Sequence, residues 1–328
     1  MSRNIATSRA HPNIAFIKYW GNQDDALRIP VNDSLSMNLD DLFTQTTVEW
    51  RTDLKQHTLL LNGEEQIGQP LERVSRHLTM LQKHLDLNIY AYVESANNFP
   101  MGAGIASSAS SFAALTLAAV RAATAMLSER ELTVLARLGS GSASRSIPEG
   151  FVEWYAGGSH ETSYAESFAP ASHWDIVDII AVVSSSHKAV GSTEGHRSAL
   201  TSVLQSSRVA DAASRVAICK NAVLERDFTS FAEIVERDSN LMHAIMMTSN
   251  PPLFYWLPAS VAVMEAVRTA RQEGLSVCYT MDAGPNVHCI CLRHDKDNVQ
   301  SLLRSVSGIT DIRVAGVGGG AKIVKSGE

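Results

Sequence analysis

The sequence predicts an α+β fold of two closely packed lobes that share a cleft. Helical and extended patterns are mixed in both halves of the 328 residues, and a stretch rich in Ser and Gly at 184–195 forms a weak boundary between them. No internal repeat or low-complexity linker divides the chain further. We therefore expect an N-terminal lobe over residues 1–185 and a C-terminal lobe over residues 186–328.

The periodicity of apolar residues predicts the individual elements in chain order. Strands are expected at 46–50, 57–61, 89–95, 174–184, 276–281, 287–292 and 312–317. Helices are expected at 71–85, 107–127, 129–138, 208–226, 228–243, 259–273 and 296–306. The helix that begins at Ser107 is rich in alanine and leucine, so we expect it to be long and largely buried.

Composition narrows the classes of function. The chain is 45% apolar and 19% charged, which is ordinary for a globular protein, and its net charge of −6 argues against nucleic-acid binding. The absence of a run of about 18 apolar residues and of a signal-peptide layout predicts a cytoplasmic protein without a membrane partner. Any anion-binding site must therefore depend on a local group of residues and not on the net charge of the chain.

The four cysteines, Cys219, Cys278, Cys289 and Cys291, lack CxxC spacing and are expected to be reduced and buried. A zinc site at Cys289, Cys291 and His288 is the alternative, but a fourth ligand is not apparent.

The segment ESANNFPMGAGIASSASSFAAL, at 94–115, predicts a phosphate-binding loop. A strand, a turn, Gly-Ala-Gly and two serines precede a helix, an order that presents backbone N–H groups and hydroxyls to an anion. It contains neither a P-loop lysine nor a dinucleotide fingerprint. The alternative is a glycine turn capped by serine ahead of a core helix.

A second small-residue segment, LGSGSASRSIPEG at 138–150, surrounds Arg145 with serines. Such a sequence makes poor core and poor regular structure, but hydroxyls beside a guanidinium can bind a carboxylate or phosphate. A flexible surface loop is the alternative.

Two further residues have the chemistry of a catalytic pair. Asp282 follows a strand directly and enters an Ala-Gly-Pro turn, where it suits either a general base or a turn cap. Lys18 lies in an apolar strand, so it must snorkel or pair, and pairing with Asp282 would keep that carboxylate ionised.

Several separated blocks resemble one family over nearly the whole chain. They are NIAFIKYWG, PVNDSLSMNL, NNFPMGAGIASSAS, GSGSASRS with GFVEW, HKAVGSTEG, DSNLMHA with PPLFY, and YTMDAGPN. The glycine-serine loop alone resembles the galactokinase, homoserine kinase, mevalonate kinase and phosphomevalonate kinase (GHMP) superfamily. The blocks IKYWG, GSGSASRS and YTMDAGPN point to its diphosphomevalonate and phosphomevalonate decarboxylases.

This resemblance implies a GHMP-kinase-like fold with ATP, Mg²⁺ and a phosphorylated mevalonate in the cleft between the lobes, and it implies a homodimer. The implied reaction phosphorylates the 3-hydroxyl and then releases phosphate and CO₂ to leave an alkene, as in isoprenoid biosynthesis. The implied catalytic residues are Asp282 as the base, Lys18 beside it and Arg145 on the substrate carboxylate. Substrate binding is implied for Tyr19, on the phosphate, and for Ser140, Ser142, Lys188 and Ser192. ATP binding is implied for Ser95, Asn97, Gly102, Gly104, Ala106, Ser107 and Ser108, with Ser107 also reaching the metal.

The sequence departs from the family at two substrate positions. Asn22 follows YWG where families acting on the diphosphate carry lysine, and Gly191 stands where serine is expected. The missing ionic contact is worth roughly 1.5–3 kcal/mol of diphosphate binding. We therefore expect mevalonate 5-phosphate as the substrate and isopentenyl phosphate as the product, although Arg28 or Arg197 could supply a substitute cation.

Three alternatives remain open: a decarboxylase of the diphosphate that makes isopentenyl diphosphate, a kinase that stops at the 3-phosphate, and an anion-binding module without catalysis.

Overall fold

The computed structural model describes residues 4–99, 107–184 and 192–324. Its strands are β1 Ile5–Ala10, β2 Asn13–Ile17, β3 Asn22–Asp24, β4 Ile29–Pro30, β5 Ser34–Asn38, β6 Thr44–Arg51, β7 Thr58–Leu61, β8 Glu64–Glu65, β9 Tyr90–Asn97, β10 Phe151–Trp154, β11 Ala165–Ala169, β12 Ile176–Val182, β13 Val277–Thr280, β14 Val287–Leu292, β15 Asp311–Gly316 and β16 Lys322–Val324. Its α-helices are α1 Gln69–His84, α2 Ser107–Ala122, α3 Glu129–Gly139, α4 Ser192–Ser198, α5 Gln205–Ala210, α6 Ala212–Glu225, α7 Phe228–Thr248, α8 Pro258–Gln272 and α9 Lys296–Ser305. Helices and strands are mixed along the whole chain, so the predicted α+β class is confirmed.

The strands form three main sheets. The first has the order β16-β1-β6-β9-β7-β8, the second β11-β10-β5-β2 and the third β13-β14-β12-β15, and β3 and β4 make a small separate pair. Neighbouring strands are antiparallel except for β7 and β9, which run parallel. Helix α7 contacts both β2 of the second sheet and β13 of the third, so it links the two sheets that carry the predicted catalytic residues.

The first and third sheets each contain a strand from the other half of the sequence. Strand β12 precedes residue 185, yet it pairs with β14 and β15. Strand β16 pairs with β1, with Val324 opposite Thr7. The sheets therefore do not separate at residue 185, and the division into lobes at that residue stays a prediction.

Apolar runs explain how the core forms. Every residue of β12 is buried because both faces of this central strand are covered, as its continuous apolar sequence predicts. The ring of Phe16 in β2 packs edge-on against Phe231 of α7 with centroids 4.9 Å apart. This contact joins the second sheet to α7.

Helix α2 lies close to the first sheet because its buried face consists largely of alanine. Ser8 Oγ donates to the carbonyl of Ala114 at 2.6 Å, and Trp50 Nε1 donates to the carbonyl of Ala119 at 2.9 Å. These bonds fix the helix whose first turn carries the predicted phosphate-binding serines.

Three predicted elements differ from the structure. The helix expected at 208–226 is divided at Asp211 into α5 and α6. Helix α2 ends at Ala122 instead of residue 127, because Thr124 takes a left-handed conformation (φ 58°) and its N–H bonds to the carbonyl of Arg121. The segment 138–150 was expected to lack regular structure, but Gly141–Ser146 forms a 3₁₀-helix that is mostly buried. The density of serine misled the prediction, because the backbone of this segment packs against its neighbours instead of facing water.

The four cysteines are buried and free, as predicted. Over the described ranges no cluster of His, Cys, Asp or Glu could hold a metal ion, and no helix is long and apolar enough to span a membrane.

Gly139, at the end of α3, allows close contact with α2. A Cβ added to it would lie 2.1 Å from Cδ1 of Phe112, whereas a Cβ on Gly158 would meet nothing within 4 Å. Gly139→Ala is expected to destabilise the protein by about 1–3 kcal/mol, because the core must shift to accept the methyl group. Thermal unfolding checks this, with Gly158→Ala as the matched control. Equal unfolding temperatures for the two variants would contradict the expectation.

Candidate active site

Lys18 and Asp282 form an ion pair at the centre of the candidate site. Lys18 lies directly after β2 and is buried, and its Nζ is 2.7 Å from Oδ1 of Asp282. Asp282 lies two residues after β13 and keeps 28% of its side chain exposed. Burial lowers the pKa of Lys18, and the Asp282 carboxylate opposes that shift. The pairing predicted from the sequence is therefore present, and part of the Asp282 side chain is exposed.

The backbone around Lys18 is held by buried charged side chains. Asp238 of α7 accepts the N–H of Lys18 at 2.6 Å and the Nε–H of Arg215 at 2.7 Å. Arg208 donates to the carbonyls of Lys18 at 2.7 Å and Trp20 at 3.2 Å. Both peptide groups of Lys18 are thus fixed by charge-assisted hydrogen bonds, which orient its side chain towards Asp282.

Arg145 lies in the 3₁₀-helix Gly141–Ser146 and is buried. Its guanidinium donates to Oγ of Ser34 at 2.7 Å and to Oδ1 of Asn13 at 3.2 Å, and its Nε has no hydrogen-bond partner among the described residues. Burial lowers the pKa of Arg145 to about 10, and the charge of Asp282 opposes that change. A buried guanidinium whose hydrogen-bond partners are neutral is suited to bind an anion.

The predicted substrate residues Tyr19, Ser140 and Ser142 lie near this arginine. The hydroxyl oxygens of Ser140 and Ser142 are 3.5 Å apart at the start of the 3₁₀-helix. The Tyr19 ring packs against Trp154 with centroids 4.7 Å apart, and the Arg145 guanidinium carbon lies 5.7 Å from the Trp154 ring centroid. Trp154 therefore supports both the tyrosine and the arginine.

The predicted ATP residues in the described ranges gather where β9 ends and α2 begins. Ser95 Oγ lies 2.8 Å from Thr46 Oγ1, and Asn97 Oδ1 accepts a 2.5 Å bond from Thr44, which also bonds to Ser110 in the first turn of α2. Ser107 and Ser108 open that helix and are half-buried.

Within the described chain the hydroxyls of Ser107 and Ser108 have no hydrogen-bond partner, so both remain available to a phosphate or a metal ion. Ser95 also lines a small, mostly apolar cavity between β9 and α2 together with Phe112 and Leu115.

Four predicted residues, Gly102, Gly104, Ala106 and Lys188, lie outside the described residues, as does Gly191. Ser192 is the first residue of α4, and only its backbone is described. Their predicted contacts with ATP or substrate stay predictions.

Sequence reasoning assigned no role to several residues that the structure brings to the site. Asn13, Asp238 and His243 lie within matched blocks, but nothing in their local pattern indicated a contact with Lys18, Asp282 or Arg145. Burial lowers the pKa of His243 to about 4, and the ring hydrogen bonds to the backbone beside Asp282. The burial of polar residues in α7 could have been suspected from DSNLMHA, where Asp, Ser and His interrupt an apolar helix face.

The mixed two-lobed fold, the buried Lys–Asp pair and the serines at the start of α2 define an enzyme of the GHMP superfamily. Two family models match the chain: the diphosphomevalonate decarboxylase-like N-terminal domain over residues 10–165 and the mevalonate 5-diphosphate decarboxylase C-terminal domain over residues 178–317. The chain belongs to the diphosphomevalonate decarboxylase family and is an ATP-dependent decarboxylase.

Individual relatives agree with this assignment. The diphosphomevalonate decarboxylase of Aspergillus fumigatus is 40% identical over 92% of this chain and 80% of its own length. The mevalonate diphosphate decarboxylase of Staphylococcus aureus is 37% identical, with a TM-score of 0.93 over 98% of both chains. A third protein, MDDEF, solved in complex with MVAPP, AMPPCP and magnesium, is 34% identical with a TM-score of 0.92 over 98% of this chain and 99% of its own. The family thus uses ATP and Mg²⁺.

Removing the carboxylate at the centre of the site tests the predicted base. Asp282→Asn is expected to lower kcat at least about 100-fold, because general-base catalysis contributes about 10²–10⁴. ATP affinity, measured by titration calorimetry, should stay unchanged because the side-chain volume is conserved. The exposed Asp297→Asn serves as control, and a normal kcat in Asp282→Asn would remove this residue from catalysis.

Asp238 and Asp211 provide a matched pair, because both bind Arg215 but only Asp238 is buried. Asp238→Asn is expected to destabilise the protein by about 3–5 kcal/mol, because the buried Arg215 loses its buried carboxylate partner and keeps only the partly exposed Asp211 as a carboxylate partner. Asp211→Asn, at the exposed partner, should have an effect below about 1 kcal/mol. Thermal unfolding distinguishes the two, and equal shifts would contradict a specific role for the buried pair.

Proposed function

We propose that this enzyme decarboxylates mevalonate 5-phosphate to isopentenyl phosphate with release of ADP, phosphate and CO₂. The observation that carries the proposal is the hydrogen bonding of Asn22, the residue after the YWG motif. Asn22 accepts from the hydroxyl of Tyr19 at 2.6 Å and donates to Oδ1 of Asp25 at 2.8 Å. Asp25 in turn accepts from Nε of Arg197 at 3.3 Å.

This arrangement favours a substrate with one phosphate group over a substrate with two. Asn22 brings no positive charge, its amide already donates to a carboxylate, and that carboxylate would repel a second phosphate nearby. Arg197 is engaged with Asp25 and mostly exposed, which makes it a weak substitute cation.

The chemistry assigned to the site follows from its charges. Bound ATP supplies the phosphoryl group that turns the tertiary 3-hydroxyl into a leaving group. Asp282 accepts the hydroxyl proton, and Lys18 keeps this carboxylate ionised until it does so. Arg145 holds the substrate carboxylate through its guanidinium group.

Loss of phosphate then develops positive charge at C3. The electron pair of the breaking bond between the carboxylate and C2 forms the alkene and CO₂ leaves. Positioning of the carboxylate and exclusion of water are therefore the main tasks of the residues around Arg145.

The second candidate is decarboxylation of mevalonate 5-diphosphate to isopentenyl diphosphate. It is favoured by the names of the relatives, which are diphosphomevalonate decarboxylases at up to 40% identity. The predicted homodimer and the cytoplasmic location are parts of the proposal that rest on the family resemblance and on the sequence.

A side-by-side measurement of kcat/KM with the two substrates tests the proposal. Phosphate and CO₂ released from ATP and each substrate should appear together and faster with the monophosphate. Faster turnover of the diphosphate at equal concentrations would overturn the monophosphate assignment.

Introducing a positive charge at position 22 tests whether the missing cation explains the preference for the monophosphate. Asn22→Lys should improve kcat/KM for the diphosphate relative to the monophosphate by about tenfold or more, the effect of one charged hydrogen bond. Because Asp25 would compete for the new ammonium, the double variant with Asp25→Asn should shift further than the single variant. Asp25→Asn alone is the control, and an unchanged ratio in the double variant would contradict this explanation.

A further inference from the structure

His196 of α4 occupies a position beside the predicted phosphate-binding tyrosine that sequence analysis left unassigned. Its ring stacks on Tyr19 with centroids 4.0 Å apart and an interplanar angle of 27°, and it lies against Trp20 with centroids 4.7 Å apart. Gly195 makes this approach possible, because a Cβ there would come within 2.4 Å of the Trp20 ring. The imidazole is thus locked between α4 and the segment that follows β2.

The hydrogen bonds of His196 determine its tautomer. Nδ1 lies 3.0 Å from the backbone nitrogen of Gly21, which can only donate, so Nδ1 is the acceptor and the ring proton is on Nε2. Burial and the nearby charges of Arg28, Arg208 and Arg145 lower the pKa of His196 to about 3, so the ring is neutral at physiological pH.

The Nε2–H donor of His196 has no acceptor among the described residues. Nε2 is also not one of the fully buried polar atoms that lack a hydrogen bond. This atom therefore reaches the accessible surface, although the residue as a whole is only 7% exposed. A fixed donor at the edge of a buried ring is suited to bind a ligand.

The surroundings of His196 indicate an anionic ligand. Arg145 bonds to neutral side chains, and Arg28 donates through Nε to the carbonyl of Leu138 at 3.0 Å. In the described part of the chain neither arginine has a carboxylate within ion-pair distance. Two cations without acidic partners beside a neutral donor make a locally positive site in an acidic protein.

We propose that His196 is a specificity-determining residue whose Nε2–H donates to the 5-phosphate of the substrate. This proposal rests on the function proposed above, because it assumes that Tyr19 faces that phosphate. A neutral donor binds a monophosphate without an added cation, and it complements Asn22, which is neutral as well. Neither residue adds charge to the phosphate site.

Two substitutions test the roles of the two ring nitrogens of His196 separately. In His196→Asn the amide oxygen can replace Nδ1 as acceptor for Gly21, but nothing replaces Nε2–H. In His196→Gln the amide nitrogen reaches the position of Nε2 and preserves a donor. The exposed His294, changed in the same two ways, is the matched control.

The asparagine variant is expected to raise KM for mevalonate 5-phosphate about tenfold or more, the usual effect of losing one hydrogen bond to a charged group. Its kcat and its KM for ATP should change little, and His196→Gln should recover most of the lost affinity. Equal KM increases in both variants, an unchanged KM in His196→Asn, or an increase confined to ATP would overturn the proposal.

A spectroscopic measurement on the unmodified enzyme keeps the proposal testable if a variant misfolds. A histidine-selective ¹H–¹⁵N spectrum should show the His196 imidazole with its proton on Nε2, and that resonance should shift when mevalonate 5-phosphate is added without ATP. No shift at saturation would overturn the proposal.

If the enzyme prefers the diphosphate, the same KM and shift measurements are made with that substrate. Failure of the proposed function and failure of the role of His196 are thereby distinguished.

Discussion

The ion pair between Lys18 and Asp282 is the interaction on which the rest of the site depends. A lysine that is 1% exposed is stable as a cation only beside a carboxylate, and the carboxylate must still face the substrate. The two residues are 264 positions apart in sequence. The second and third sheets must therefore stay in one fixed arrangement, and α7, which contacts both, supplies the connection.

A second buried charge system maintains that arrangement. Asp238 binds the lysine backbone and Arg215 together, and Arg208 binds the carbonyl on the other side of Lys18. Hydrogen bonds to peptide groups restrain position without competing for the side chain. The ammonium thus remains directed at Asp282, while the cost of burying these charges is offset by their mutual contacts.

Local sequence predicted most helices and the four strands of the third sheet, because their apolar periods match the faces that the fold buries, but it left strands such as β1, β10, β11 and β16 without a prediction. It predicted the Lys18–Asp282 pair as well, since an isolated lysine among apolar residues needs a carboxylate. It did not predict that the serine-rich segment around Arg145 would be a buried 3₁₀-helix, because that depends on contacts with distant strands. The roles of Asp238 and His196 were missed for the same reason: each acts on residues near Lys18 that are more than 170 positions away.

Strands β12 and β16 have a consequence for any attempt to divide this enzyme. Each belongs to a sheet built mainly from the opposite half of the sequence, so two fragments produced by cutting between α6 and α7 would still share both sheets through backbone hydrogen bonds. Such fragments should migrate as one particle until denatured. A cleaved preparation would then have the size of the intact enzyme in a native separation. Two separately expressed fragments would have to pair their strands while folding to restore the site.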